Sequence, residues 1–310
     1  MKKDTHSLSL PILALLLAMM FWGSSFVVMK IALRAWDPLL AIFGRLLVAS
    51  VVFLLLARKF GNIEYRTGDW KLLAFMSLCE PCLYFTFEAH ALKYTSASEA
   101  ATITALLPLM TVFAARYMLE EKLSRKVLVG IGSAVIGVLG LTWFSNTSEN
   151  APCPVLGNGL EFLAMICATG YTIACRYLSQ RYSALFLTAL PAFIGTIFFM
   201  PALLFSRWEN DIQFSPPILA SIVYLGVIVN VLTYFLFNYG LSRLSASRVS
   251  LYINLIPVFS MLFGWLILSE QLSSAQYLAA ALVMGGTFFG QGSLNSAHLW
   301  FRTKWPNFKF

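Results

Sequence analysis

Ala91-Leu92-Lys93-Tyr94-Thr95-Ser96-Ala97-Ser98, then Pro108, then Leu119-Glu120-Glu121-Lys122-Leu123-Ser124, reads a second time further along the chain. Its counterpart is Gly240-Leu241 through Ser245-Ala246-Ser247, then Pro257, then Leu268-Ser269-Glu270-Gln271-Leu272-Ser273. One offset of 149 residues (96 to 245) places Ser96-Ala97-Ser98 on Ser245-Ala246-Ser247, Pro108 on Pro257, Glu121 on Glu270 and Gly137 on Gly286, without a gap. Register kept over that distance marks an internal duplication.

The residues around the repeat set its solvent. The 310-residue chain is 59% hydrophobic and 12% charged, roughly half the charged share of a soluble domain. Apolar residues gather in blocks of about twenty, the length that crosses a bilayer core as a helix. The expected spans are 11–30, 38–57, 70–91, 97–118, 126–144, 156–177, 184–205, 217–239, 247–268 and 275–293. The fold class is therefore all-α and polytopic, with about ten transmembrane helices. The first block, Pro11 to Met29, is too long for a signal-peptide core and reads as the first span.

Charge placement gives the orientation. Arg58, Lys59, Arg66, Lys71, Lys122, Arg125, Lys126, Arg181 and Arg302 fall on one side, whereas Lys30, Arg34, Lys93 and Arg207 fall on the other. Basic residues favour the cytoplasm, so both termini are expected there, in the plasma (inner) membrane. The net charge of +8 is spread along block edges, which argues against nucleic acid as a partner. A unit of five spans is odd, so its second copy enters the membrane from the opposite face. The expected units are residues 11–144 and 156–293, with 294–310 as a short cytoplasmic tail.

These repeated residues, with Trp22-Gly23-Ser24-Ser25-Phe26 in the first span and Arg45 in the second, resemble the EamA repeat of the drug/metabolite transporter superfamily. The resemblance covers nearly the whole chain. It implies an inverted five-plus-five bundle around a central cavity, lined mainly by the first four helices of each half. It also implies transport of amino acids, nucleotide precursors or other small polar metabolites, often outward. The motifs specify the scaffold more than the cargo.

Ionisable groups inside a bilayer cost about 2.5–3.5 kcal/mol at a helix centre, so each needs a partner or a wet cavity. On a continuous third helix Glu80, Tyr84 and Glu88 form one polar stripe. Its functional reading is a lining of the translocation path, with Glu80 as a proton or substrate site. Its bland reading is a structural ion pair, for which Arg45 and Glu88 match in depth while Glu80 has no comparable partner. Asn230, Tyr234 and Asn238 repeat the spacing in the second half, and Asn254 adds an amide; helix-to-helix polar glue is their competing role. Trp22 could stack on a ligand or fill the core, and Ser25 joins it on the first helix. Pro108 and Pro257 at matching positions are either paired hinges or static kinks. Glu161 is expected to snorkel to the outer interface, and His90 to be interfacial.

Small residues at Gly130/Ala134, Ser133/Gly137, Ala281/Gly285 and Gly286/Gly290 make packing faces between helices, or between protomers of a homodimer. Cys79 and Cys82 form a lone CxxC inside an apolar block, without the partners of a metal or redox site. No Walker A, HExxH or GxSxG element is present, so no catalytic residue, metal or cofactor is expected, and energy would come from a gradient, protons included. The expected function is a secondary transporter working by alternating access. The alternatives are a non-transporting membrane scaffold or a membrane enzyme.

Overall fold

A computed structural model describes residues 6–60, 65–119, 125–149, 151–179, 181–205, 215–243, 249 and 252–291. Among the described residues the chain is a bundle of helices, with one isolated bridge between Ser148 and Ala151. The first half comprises α1 (His6–Ala32), α2 (Pro38–Leu55), α3 (Asp69–Tyr94), α4 in two pieces (Ala97–Thr104 and Leu107–Leu119) and α5 (Arg125–Trp143). The second comprises α6 (Pro154–Leu178), α7 (Ala184–Phe199), α8 (Pro216–Gly240), α9 (Leu255–Leu268) and α10 (Ser274–Gln291).

Local chemistry sets several starts. Asp37 accepts from Leu39 N at 3.0 Å and Pro38 takes the first position of α2, where no donor is lost. Ser96 Oγ accepts from Glu99 N at 3.1 Å to start α4. Pro108 and Pro257 lie in the first turns of a second α4 piece and of α9, positions that tolerate proline.

Seven of these helices are long and apolar enough to cross a membrane: α1, α2, α3, α4, α5, α7 and α8. α9 is a shorter apolar helix. α6 and α10 bury polar side chains, Asn158 and Glu161 on the one and Gln276 and Thr287 on the other. Contacts fix their directions. Lys30, at the end of α1, donates to the Thr95 carbonyl at the end of α3, and Cys153 N, at the start of α6, donates to Tyr94 O at 3.1 Å. The first helix of one half thus ends where the first helix of the other begins, so the halves are inverted. The stretches Glu121–Ser124 and Ser245–Ser247 of the repeat, and the tail 294–310, lie outside the described residues.

Helices α5 and α10 pack along each other through their small residues. A β-carbon on Gly130 would sit 2.6 Å from Gly286 O, and one on Gly137 would sit 2.6 Å from Val283 Cγ2. The small faces of these two helices therefore meet within the chain. At the end of the bundle opposite Lys30, Asp69 accepts from Arg181 Nη2 at 2.8 Å and Tyr182 Oη at 2.7 Å, tying α3 to the α6–α7 turn. Burial, then the bond to Asp69, pushes the Tyr182 phenol up to about 12.

Candidate functional site

Two helices lose regular pitch at matching places. α3 widens over Leu78–Leu83, where Glu80 is extended (φ −145, ψ 120) and Pro81 has no N–H to give. α8 widens over Leu225–Thr233, where Thr233 Oγ1 reaches back five residues to Ile228 O at 2.8 Å. The repeat offset puts Glu80 on Val229 and Pro81 on Asn230, inside both wide stretches. Such widened turns recur at functional sites, and interruptions paired across inverted halves mark binding regions.

Between the two interruptions lies a cavity of about 310 Å³, counting the space where it opens outward. Glu80, Tyr171, Thr188, Asn230 and Tyr234 supply its polar wall, and Leu46, Phe85 and Pro191 part of the apolar one. Tyr234 donates its hydroxyl to Glu80 Oε1, joining the two halves. Trp22 stands edge-on to Tyr234 at 5.3 Å, and Asn238 Nδ2 donates to the cavity-lining Thr188 at 3.0 Å.

Behind this wall, Arg45 Nη1 lies 3.7 Å from Glu88 Oε2, and Tyr84 Oη donates to Glu88 Oε1 at 2.8 Å. Arg45 Nη2 also donates to Asn230 Oδ1 at 2.7 Å, and its guanidinium lies 4.1 Å from the centre of the Phe85 ring. Among the described residues Arg45 Nε and Asn230 Nδ2 are buried without an acceptor. The continuous Glu80-Tyr84-Glu88 stripe does not form, because the extended backbone at Glu80 resets the helical angle. Tyr84 and Glu88 keep their one-turn relation, while Glu80 turns to Tyr234 of the other half.

Other sequence candidates lie apart from the cavity. Asn254 Oδ1 accepts from Thr287 on α10 at 3.3 Å, and Ser25 Oγ bonds back to Trp22 O at 2.7 Å. His90 Nδ1 contacts Thr86 O at 2.7 Å. Glu161 does not snorkel: it is 0% exposed, because α6 turns that face towards α3 rather than towards the surface.

A second polar cluster, at the Lys30 end, was not foreseen from sequence. Glu99 accepts from Thr95 (3.2 Å), Asn158 (3.0 Å), Ser145 (2.6 Å) and Gln276 (2.9 Å), so five helices or their ends converge on one carboxylate. Beside it, Glu270 accepts from Ala97 N at 2.8 Å, Ser98 N at 3.0 Å and Ser98 Oγ at 2.7 Å, with Lys30 Nζ 3.9 Å away. Glu99 escaped notice because Ser-x-x-Glu at a helix start reads as ordinary capping. Lys30 was counted only as a flanking charge at the end of the first span, although it is 6% exposed.

Many membrane transporters are built as inverted helical repeats whose polar groups meet between the two halves. The sequence matches the model of the EamA-like transporter family over residues 9–143 and 155–289, and the chain belongs to that family. It is 27% identical over 292 residues to an uncharacterized transporter of Archaeoglobus fulgidus, covering 93% of this chain and 97% of that one. The uncharacterized transporter YetK of Bacillus subtilis is 28% identical over 276 residues, covering 87% and 83%. A solved structure titled only as a crystal structure of protein shares the fold, with a TM-score of 0.59 and 18% identity over 88% of this chain and 97% of that one. The protein is a multi-pass membrane transporter.

Proposed function

We propose that this transporter carries small zwitterionic metabolites, amino acids or close relatives, outward across the plasma membrane by alternating access. The observation that carries the reading is the polar set at the paired helix interruptions. Glu80 offers a carboxylate to an ammonium group. Asn230 Nδ2, on the cavity wall and without an acceptor among the described residues, offers a donor to a carboxylate. Trp22 and Phe85 flank this region with aromatic surface.

Alternating access requires each end of the bundle to close in turn around that site. The Glu99 and Glu270 clusters hold the Lys30 end together, using residues of both halves. Basic-residue placement supports a reading with that end outside and both termini in the cytoplasm.

Comparing metabolites inside and outside cells that overproduce the wild-type chain or Glu80→Gln tests this. The wild type should deplete one or a few amino-acid-like compounds from the cytoplasm, and the variant should not. Counterflow in vesicles holding the purified chain then assigns the activity directly. A chain that moves none of the compounds it depletes, or moves them equally well as Glu80→Gln, contradicts the proposal.

A further inference from the structure

Glu161 on α6 is fully buried, and neither of its carboxylate oxygens has a hydrogen-bond partner among the described residues. Nothing in the cavity described above uses it. Its level in the bundle follows from two close approaches of α6 to α3. A β-carbon on Gly157 would lie 2.9 Å from Ala91 O, and one on Gly170 would lie 2.9 Å from Cys79 Sγ. The two helices therefore run antiparallel in contact, and Glu161, one turn beyond Gly157, comes level with Glu88. Both carboxyls sit about 10 Å in from the Lys30 end of their helices, at 1.5 Å per residue.

Among the described residues, the groups facing Glu161 do not supply a cation. From α3, Glu88 and Tyr84 are within electrostatic reach. Arg45 of α2 is already committed to Glu88 and Asn230. From α4 and α5, Glu99, Thr142 and Ser145 converge with Asn158, one turn earlier on α6. An ionised carboxylate without donors is costly in a protein interior, and a second carboxylate at the same level adds repulsion. The neutral acid avoids both costs.

Resting on the transporter reading above, we propose that Glu161 is a proton-binding site of the transport cycle. In the conformation described it carries the proton on its carboxyl. When a change of conformation hydrates this level of α6, the O–H bond breaks, the proton leaves as hydronium and the carboxylate remains. Reprotonation from water returns the site to its starting state.

Infrared difference spectroscopy between acidic and alkaline buffer, on the full chain in lipid vesicles, tests the site without any cargo. The wild type should show a protonated-carboxyl C=O stretch that disappears at alkaline pH. That component should vanish in Glu161→Gln, persist in Glu88→Gln and shift in frequency in Glu161→Asp. A carboxyl band unchanged in Glu161→Gln, or lost in Glu88→Gln alone, overturns the assignment. Where Glu161→Gln does not fold, Glu161→Asp decides: an unshifted band overturns the assignment as well. Cargo flux, which tests the transporter reading, is measured separately and stands whichever way the spectra fall.

Discussion

Tyr234 of the second repeat donates its hydroxyl to Glu80 of the first, at the level where both α3 and α8 depart from regular helical pitch. The bond ties the halves together across the cavity that the transport reading assigns to cargo. An arriving ammonium group would compete with Tyr234 for the same carboxylate oxygen, so cargo binding and the contact between halves are coupled at one atom.

Leaving a buried hydrogen-bonding group without its partner costs about 1–3 kcal/mol. Tyr234→Phe should therefore slow transport of the identified cargo about tenfold or more, and Glu80→Gln should abolish it, as read by counterflow in vesicles. Thr188→Val, on the same wall but outside the Glu80–Tyr234 bond, should have the smaller effect.

Breaking a buried ion pair from one side costs about 3–5 kcal/mol, whereas replacing both members with apolar residues can be nearly neutral. Arg45→Met should lower the thermal unfolding temperature in detergent markedly, because Glu88 is left without its cation. Adding Glu88→Leu should recover most of the loss. Additive single and double losses would show that the two residues do not act as a pair.

Gly137→Ala places a methyl 2.6 Å from Val283 Cγ2 and should destabilise the α5–α10 contact by about 1–3 kcal/mol. Gly132→Ala meets nothing within 4 Å and should be neutral or mildly stabilising. Unfolding of the two variants in parallel distinguishes contact within the chain from a face kept for a second protomer.

A β-carbon on Gly264 would lie 2.8 Å from Ser98 Oγ, beside Glu270. Paired substitutions Ser98→Cys and Gly264→Cys should cross-link on oxidation, since disulfide sulfurs need to approach to about 2.05 Å. Transport should stop in the cross-linked protein and return on reduction. Undiminished transport with the link formed would mean that the Lys30 end does not open.

The fold was legible because hydropathy blocks, charge alternation and the 149-residue repeat are periodic along the sequence and each constrains the others. The site was legible in part. Glu80, Asn230 and Tyr234 stood out as polar residues in apolar helices, and they line one cavity. The stripe through Glu80 failed because helical arithmetic assumes unbroken pitch, and Pro81 was the overlooked signal. Asn254 lies outside that cavity: its Oδ1 accepts from Thr287, and its Nδ2 is buried without a partner among the described residues. Glu161 and Lys30 lie near helix ends, where sequence position suggests an escape to water. Whether a side chain takes that escape depends on which neighbour covers its face, and a single sequence does not encode this locally.

The most direct measurement is two-sided labelling of a cysteine introduced at Ala192, on the cavity wall, in vesicles of known orientation and in a chain whose five native cysteines are replaced by serine or alanine. With a membrane-impermeant maleimide, Ala192→Cys should react from either side of the membrane. Adding the Ser98–Gly264 cross-link should abolish reaction from the Lys30 side and leave the other. Reaction confined to one side before cross-linking, or unchanged on the Lys30 side after it, would contradict a central site exposed alternately to the two faces.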